Sequence, residues 1–207
     1  IKSALEIDPQ NELAYLTLIE LHQLKNEADE ALKVAKQFTK AMPGSVAGWS
    51  ILSRIYIAKG QAEKAVEPAK RAYLSQSSSP ELILIYALSL ELSSKKSEAV
   101  KLYESLYQLD PDNTELVQKL ITLYSEISSL DKALELLEDL LIDAKGKRKV
   151  VLLMQKAFIF WGQQKFENAK QVLETAIAVE PTSSRLYYMY GITLENLLDY
   201  ENALEAY

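Results

Sequence analysis

His22 is the single histidine of the sequence, and no cysteine accompanies it. Imidazole- or thiolate-rich zinc sites, cysteine nucleophiles and disulfides are therefore excluded, and a Ser-His-Asp triad would have to use this one ring. His22 stands where the chain elsewhere repeats Tyr or Leu, which is the placement of a packing or edge residue. The carboxylate pairs Glu27/Glu30 and Glu135/Glu138 could serve as acid and base, but both fall on outward faces of helical segments, where solvated charge is the ordinary outcome. None of the six glycines forms G-x-G-x-x-G or G-K-[ST], so no loop is built to cradle phosphate. Lys145, Lys147, Arg148 and Lys149 form one basic cluster, able to touch a phosphate or an acidic partner and expected to lie in a solvated loop between repeats. Ser75 to Ser79 is a polar turn before Pro80, open to phosphorylation. These residues imply no catalytic set, no cofactor and no metal.

The elements that must position these residues follow from composition and periodicity. Hydrophobic residues make up 48% of the 207, enough for a substantial core. The formal charge of −6 repels nucleic acid and acidic membrane surfaces and weakly favours basic ligands. No apolar run approaches the roughly 20 residues of a membrane-spanning helix, and IKSALEIDPQ has no signal-peptide pattern. A soluble chain is expected, with the cytoplasm and the bacterial periplasm or envelope both open. The chain starts without Met and stops at Glu205-Ala206-Tyr207 within an apolar helical pattern, as a piece of a longer array would.

Internal recurrence organises everything else. Pro9, Pro43 and Pro111 are 34 and then 68 residues apart, with Ser77 in the intermediate slot. Ala31, Ala65, Ala99, Ala133, Ala169 and Ala203 are spaced 34, 34, 34, 36 and 34. Around each alanine the same apolar spacing returns. Trp49, Leu52 and Tyr56 lie on one face of a first helix, Ala65, Ala69 and Ala72 on one face of a second, and Gly60 falls between them where a residue tolerant of positive φ is wanted. Each repeat is thus a helical hairpin. The units are placed at 12–45, 46–79, 80–113, 114–147, 150–183 and a shortened 184–207, with 1–11 the end of an earlier unit and 148–149 an insertion.

Trp49-Leu52-Ser53-Tyr56, Tyr187-Tyr190-Gly191-Leu194, Leu109-Asp110-Pro111-Asp112-Asn113 and Val179-Glu180-Pro181 resemble the tetratricopeptide repeat family, whose first helix reads W-x-x-L-G-x-x-Y. Ser53 stands where that family has Gly or Ala. The resemblance covers the whole chain and implies an all-α fold, a right-handed α-solenoid of antiparallel helix pairs. It also implies a non-catalytic protein-interaction scaffold, with a concave groove lined by first helices. Carried onto this chain, the groove holds Leu16, Glu20, Arg54, Ile57, Leu84, Leu88, Glu91, Gln118, Met154, Phe158, Trp161, Tyr188, Ile192 and Glu195. Apolar and aromatic residues dominate with scattered carboxylates, so the implied partner is an apolar, basic-leaning helix or extended segment of another protein, with Met154, Phe158, Trp161 and Tyr188 as anchors. The opposing reading is that these side chains pack between successive first helices. Members that clamp the C-terminal carboxylate of heat-shock chaperones use Lys and Asn on first helices. The corresponding pairs here, Leu16/Glu20, Ser50/Arg54, Leu84/Leu88, Gln118/Thr122, Met154/Phe158 and Tyr188/Ile192, contain neither.

Three departures from the family pattern carry expectations. Lys145 replaces the closing Pro, and the two extra residues near 146–149 are expected to lengthen a loop. Pro68 inside a second helix is expected to kink it or loosen a turn. Lys156 occupies an apolar position, with its stem packed and its ammonium toward solvent. Helix faces at both ends allow self-association. The alternative function is a regulatory or targeting arm of a larger multidomain enzyme, or of an envelope or export assembly protein.

Overall fold

The computed structural model describes residues 2–207, with side chains from residue 4 onward. Ile1, the first residue of the half-unit expected over 1–11, lies outside the described residues. Among them the chain forms thirteen helices and no strand. These are α1 (Lys2–Ile7), α2 (Glu12–Leu24), α3 (Ala28–Ala41), α4 (Val46–Ala58), α5 (Ala62–Ser75), α6 (Pro80–Leu92) and α7 (Lys96–Leu109). Next come α8 (Thr114–Glu126), α9 (Leu130–Asp143), α10 (Gly146–Gly162), α11 (Phe166–Val179), α12 (Ser184–Asn196) and α13 (Tyr200–Ala206). They belong to two compact units, residues 1–123 and 124–207, and the division falls inside α8.

Short polar signals start the first helices. The Asn11 side chain accepts the Ala14 amide at 2.9 Å, Ser45 accepts the Gly48 amide at 2.9 Å, and Pro80 occupies the first turn of α6, where a missing N–H costs nothing. Their ends are more uniform still. Asn26, Gly60, Ser94, Ser128, Gln164 and Leu198 all have φ between +57° and +67°. In each case the amide of the next residue donates to the carbonyl five residues back, from Glu27 to His22 through Asp199 to Leu194, at 2.8–3.0 Å. The same left-handed closure, satisfying two otherwise orphan carbonyls, therefore turns every first helix into its second. Only one of the six positions is Gly, so the other five carry backbone strain.

The periodic alanines occupy the closest approaches. Ala31, Ala65, Ala99, Ala133, Ala169 and Ala203 are all buried. In the first unit they join a core of Tyr15, Ile19, Val34, Phe38, Leu52, Ile55 and Tyr56, in which the rings of Tyr15 and Phe38 stack 4.9 Å apart. In the second unit Val150, Leu153, Ala157, Leu173, Ala176, Leu186 and Met189 form the equivalent core. Ser53, fully buried, donates its hydroxyl to the Ala65 carbonyl at 3.1 Å, which is how a polar side chain fits where Gly or Ala is usual.

Polar ties cross between helices within each unit. The Tyr103 hydroxyl of α7 donates to Glu91 of α6 at 2.7 Å, and Lys119 of α8 donates to the other Glu91 oxygen at 3.0 Å. Burial first, and the carboxylate partner second, hold the Tyr103 phenol far above its usual range. In the second unit Tyr190 donates to Glu174 at 2.9 Å; burial, then that bond, push its phenol up to about 12.

The structure departs from the expected loop at 146–149. The connections preceding α4, α6, α8 and α12 are four residues long, but only Ala144 and Lys145 separate α9 from α10. Two residues drawn from the connection and two inserted ones add a turn to α10, which runs 17 residues where the other full-length first helices run 13. Gly146, at φ +53°, makes the tight entry. α5 runs unbroken through the buried Pro68. The Lys156 side chain is only 17% exposed, and its ammonium meets the Glu138 carboxylate at 3.0 Å rather than solvent alone.

Leu198 combines a left-handed backbone with a side chain 72% exposed, so its cost has no packing return. Leu198→Gly is expected to raise unfolding free energy by about 0.5–1 kcal/mol, the left-handed penalty less glycine's greater unfolded entropy. Gly60→Ala, where an added Cβ meets open space, is expected to lose about 1 kcal/mol. Urea unfolding measures both, and equal midpoints for all three proteins would contradict the account. A phenol whose folded pKa lies above its unfolded value of about 10 stays protonated in the fold while the unfolded chain releases its proton. Stability from Tyr190 is therefore complete below about pH 10 and lost as pH rises through about 12. Urea midpoints measured across that window should fall, and fall less steeply in Tyr190→Phe.

Candidate functional site

First helices end in a rigid closure and pack on buried alanines, so their remaining face is fixed in position. None of the fourteen residues expected on it is fully buried. In the first unit Leu16 and Ile57 are half-buried against the core, Leu88 is half-buried, and Leu84 is exposed. Glu20 and Gln118 are exposed. Arg54 of α4 reaches Glu81 of α6 at 3.1 Å, both well exposed, so this pair contributes little stability and remains open to exchange with a ligand. Glu91 differs: both of its oxygens are committed, to Tyr103 and to Lys119, which makes it a brace between three helices. Leu13, Leu24 and Leu92 add further exposed apolar surface at equivalent places.

In the second unit α10 presents Val151, Met154, Phe158 and Trp161 at steps of three and four, hence along one face. Val151 is 53% and Phe158 46% exposed, while Met154 and Trp161 lean on the core. The Phe158 and Trp161 rings meet edge to face, 5.2 Å apart at 88°. Trp161 donates its indole N–H to Thr193 of α12 at 2.9 Å, and the Thr193 hydroxyl donates onward to the Met189 carbonyl at 2.8 Å. Trp161 thus ties α10 to α12 while remaining partly exposed. Tyr188 of α12 is 60% exposed, Ile192 half-buried, and Glu195 exposed. The Tyr188 ring lies 5.9 Å from that of Tyr207, whose hydroxyl donates to Glu195; Tyr207 also covers Gly191, where a Cβ would fall 2.6 Å from its ring. Thr193 and Tyr207 as supports of this surface escaped the sequence reading, since partners 32 and 19 residues away leave no local pattern.

His22 lies 2.6 Å from Glu27 at the end of α2, in an edge position, and no group of three metal-ligating side chains occurs among the described residues. No described helix is long and apolar enough to cross a membrane. What the geometry supplies is, within each unit taken by itself, a set of partly exposed apolar side chains held from beneath, leucines in the first unit and mainly aromatics in the second.

Several known proteins are similar to this chain. The TPR repeat-containing protein YpiA of Bacillus subtilis is 26% identical over 147 residues, which are 70% of this chain and 34% of YpiA, so the chain spans about a third of that relative's length. The structure of YrrB, described as a TPR protein with an unusual peptide-binding site, superposes with a TM-score of 0.67 at 16% identity, covering 89% of this chain and 94% of that one. A tetratricopeptide repeat protein from Parabacteroides merdae gives 0.63 at 16% identity over 94% of this chain and 77% of its own. The Naa15/Naa10 assembly bound to HypK-THB gives 0.63 at 19% identity over 94% of this chain and 30% of the matched one. These likenesses show the fold, an all-α solenoid of helix pairs. Two tetratricopeptide repeat profiles match the sequence directly, over residues 97–157 and 155–207, and together with the 34-residue recurrence they establish that the chain belongs to the tetratricopeptide repeat family.

Proposed function

We propose that this chain is a non-catalytic scaffold that takes an apolar helix or extended segment of a partner protein against the face of its first helices. The observation that carries this reading is the exposure of Leu84, Val151, Phe158 and Tyr188 at positions whose spacing alone is equally suited to core packing. Large apolar side chains left at the surface on a rigid support, Leu84 in the first unit and Val151, Phe158 and Tyr188 in the second, suit a ligand more than solvent. The peptide-binding site reported for YrrB and the multi-chain assembly of Naa15 agree with such a use of this fold. In the first unit Glu20 and Glu115, both on first helices, are exposed and have no ion-pair partner among the described residues, which favours basic residues in the segment held there.

Phe158 and Tyr188 supply the anchor. Peptides selected from a displayed random library against the intact chain are expected to carry two or more large apolar residues. Phe158→Ala combined with Tyr188→Ala should weaken their binding by at least tenfold, about 1.4 kcal/mol, with helicity by circular dichroism unchanged. Retained affinity in the double variant would remove Phe158 and Tyr188 from the site. Glu91 should behave in the opposite way: Glu91→Ala is expected to cost about 2 kcal/mol of stability by leaving Lys119 and the Tyr103 hydroxyl without their acceptor, and to alter peptide affinity little. A large affinity loss with unchanged thermal unfolding would instead make Glu91 a ligand contact.

A further inference from the structure

The basic run at the start of α10 occupies a different place from the one its sequence suggests. Lys145 is the N-cap, and Lys147, Arg148 and Lys149 form the first turn of the helix that carries Phe158 and Trp161. None of the four forms an ion pair among the described residues, and Lys145, Lys147 and Arg148 are exposed. Cations in a first turn oppose the helix dipole, so helix stability does not account for them. Lys147 lies four residues before Val151, and the series Lys147, Val151, Met154, Phe158, Trp161 advances by four, three, four and three. That spacing puts the ammonium on the same face as the apolar row, one helical turn, about 5.4 Å, beyond it. The neighbouring first helix carries a cation of its own at a different register. Arg185, exposed and without an ion pair among the described residues, precedes Tyr188 by three, at the place in α12 that Val151 holds in α10.

From this we infer that the segment held by the second unit is acidic at one end: apolar anchors over Val151, Phe158 and Tyr188, followed within a turn by carboxylates that meet Lys147 and Arg185, with Arg148, about 100° further round α10, adding to the local positive field. This rests on the scaffold reading and adds the ligand's charge and its direction along the face. The turn that creates the contact is the one gained from the shortened connection and the two additional residues, and α4, α6, α8 and α12 lack it. A peptide fits better than a polyanion. The cations are continuous with apolar side chains that a nucleic acid backbone would leave unused, and a long polyanion would meet a chain of net charge −6. A short acidic end samples only the local field, within a screening length of about 8 Å.

The test is a selection of random displayed peptides of about 16 residues, long enough to follow α10 as a helix, against the wild-type chain and against K147E/R148E. Wild type should enrich peptides with apolar anchors and Asp or Glu clustered to one side, and the variant should enrich the anchors without the acids. A synthetic wild-type binder should bind K147E/R148E about tenfold more weakly, and more weakly as salt rises from about 50 to 300 mM. Its Glu→Gln version should lose the same factor on wild type and nothing further on the variant. Circular dichroism should find the variant at least as helical as wild type, because the exchange suits the dipole. Enrichment of apolar anchors without acids on wild type would overturn this inference and leave the scaffold reading standing. Recovery of no apolar-anchored peptides would overturn the scaffold reading and this inference together.

Discussion

Six alanines with almost no accessible surface set the distance between the helices of this chain. A helix pair is apolar on more than one side, and burying those sides requires neighbouring backbones to approach until only a methyl group fits between them. The left-handed closure at Asn26, Gly60, Ser94, Ser128, Gln164 and Leu198 meets that requirement by turning the chain in three residues at a fixed angle. The strain of five non-glycine residues in that conformation persists because the packing on either side over-determines it. Repeated closure and repeated close approach explain why one short pattern can be extended along the chain without a central core.

The surface proposed to hold a partner is what this packing leaves over. Second helices spend their small residues on contact, and first helices contribute their large residues to the same contact on one side only. The other side keeps Leu84, Val151, Phe158 and Tyr188 partly in solvent. Rigid support from beneath would lower the cost of ordering these side chains on binding the proposed segment. Glu91 and Trp161 show that the boundary between support and contact passes through single residues: one has both oxygens engaged, the other binds Thr193 through its N–H and remains partly exposed.

Much of the fold was legible because its determinants are periodic. Alanine spacing, first-helix apolar spacing and Gly60 together specify helical hairpins, and the 36-residue interval between Ala133 and Ala169 marks the one irregular junction. Where the extra residues went was not legible. Lys147, Arg148 and Lys149 are good helix formers, but Gly146 before them is a poor one and reads as a loop residue, and only the backbone at Gly146 shows that they extend α10. Which residues of the candidate face pack and which stay exposed was not legible, since i, i+3, i+4 spacing is the same for both. Long-range pairs such as Lys119 with Glu91 and Trp161 with Thr193 lie 28 and 32 residues apart and leave no trace in local pattern.

The central claim is that the periodic small residues carry the fold while the apolar face of the first helices is free of that duty. Urea unfolding of two sets of variants separates these roles most directly. Ala65→Leu and Ala169→Leu should each lose about 1–3 kcal/mol through overpacking, and Leu84→Gln and Val151→Gln should stay within about 0.5 kcal/mol of wild type. Losses of comparable size in both sets would show that the face is part of the core and would contradict the account.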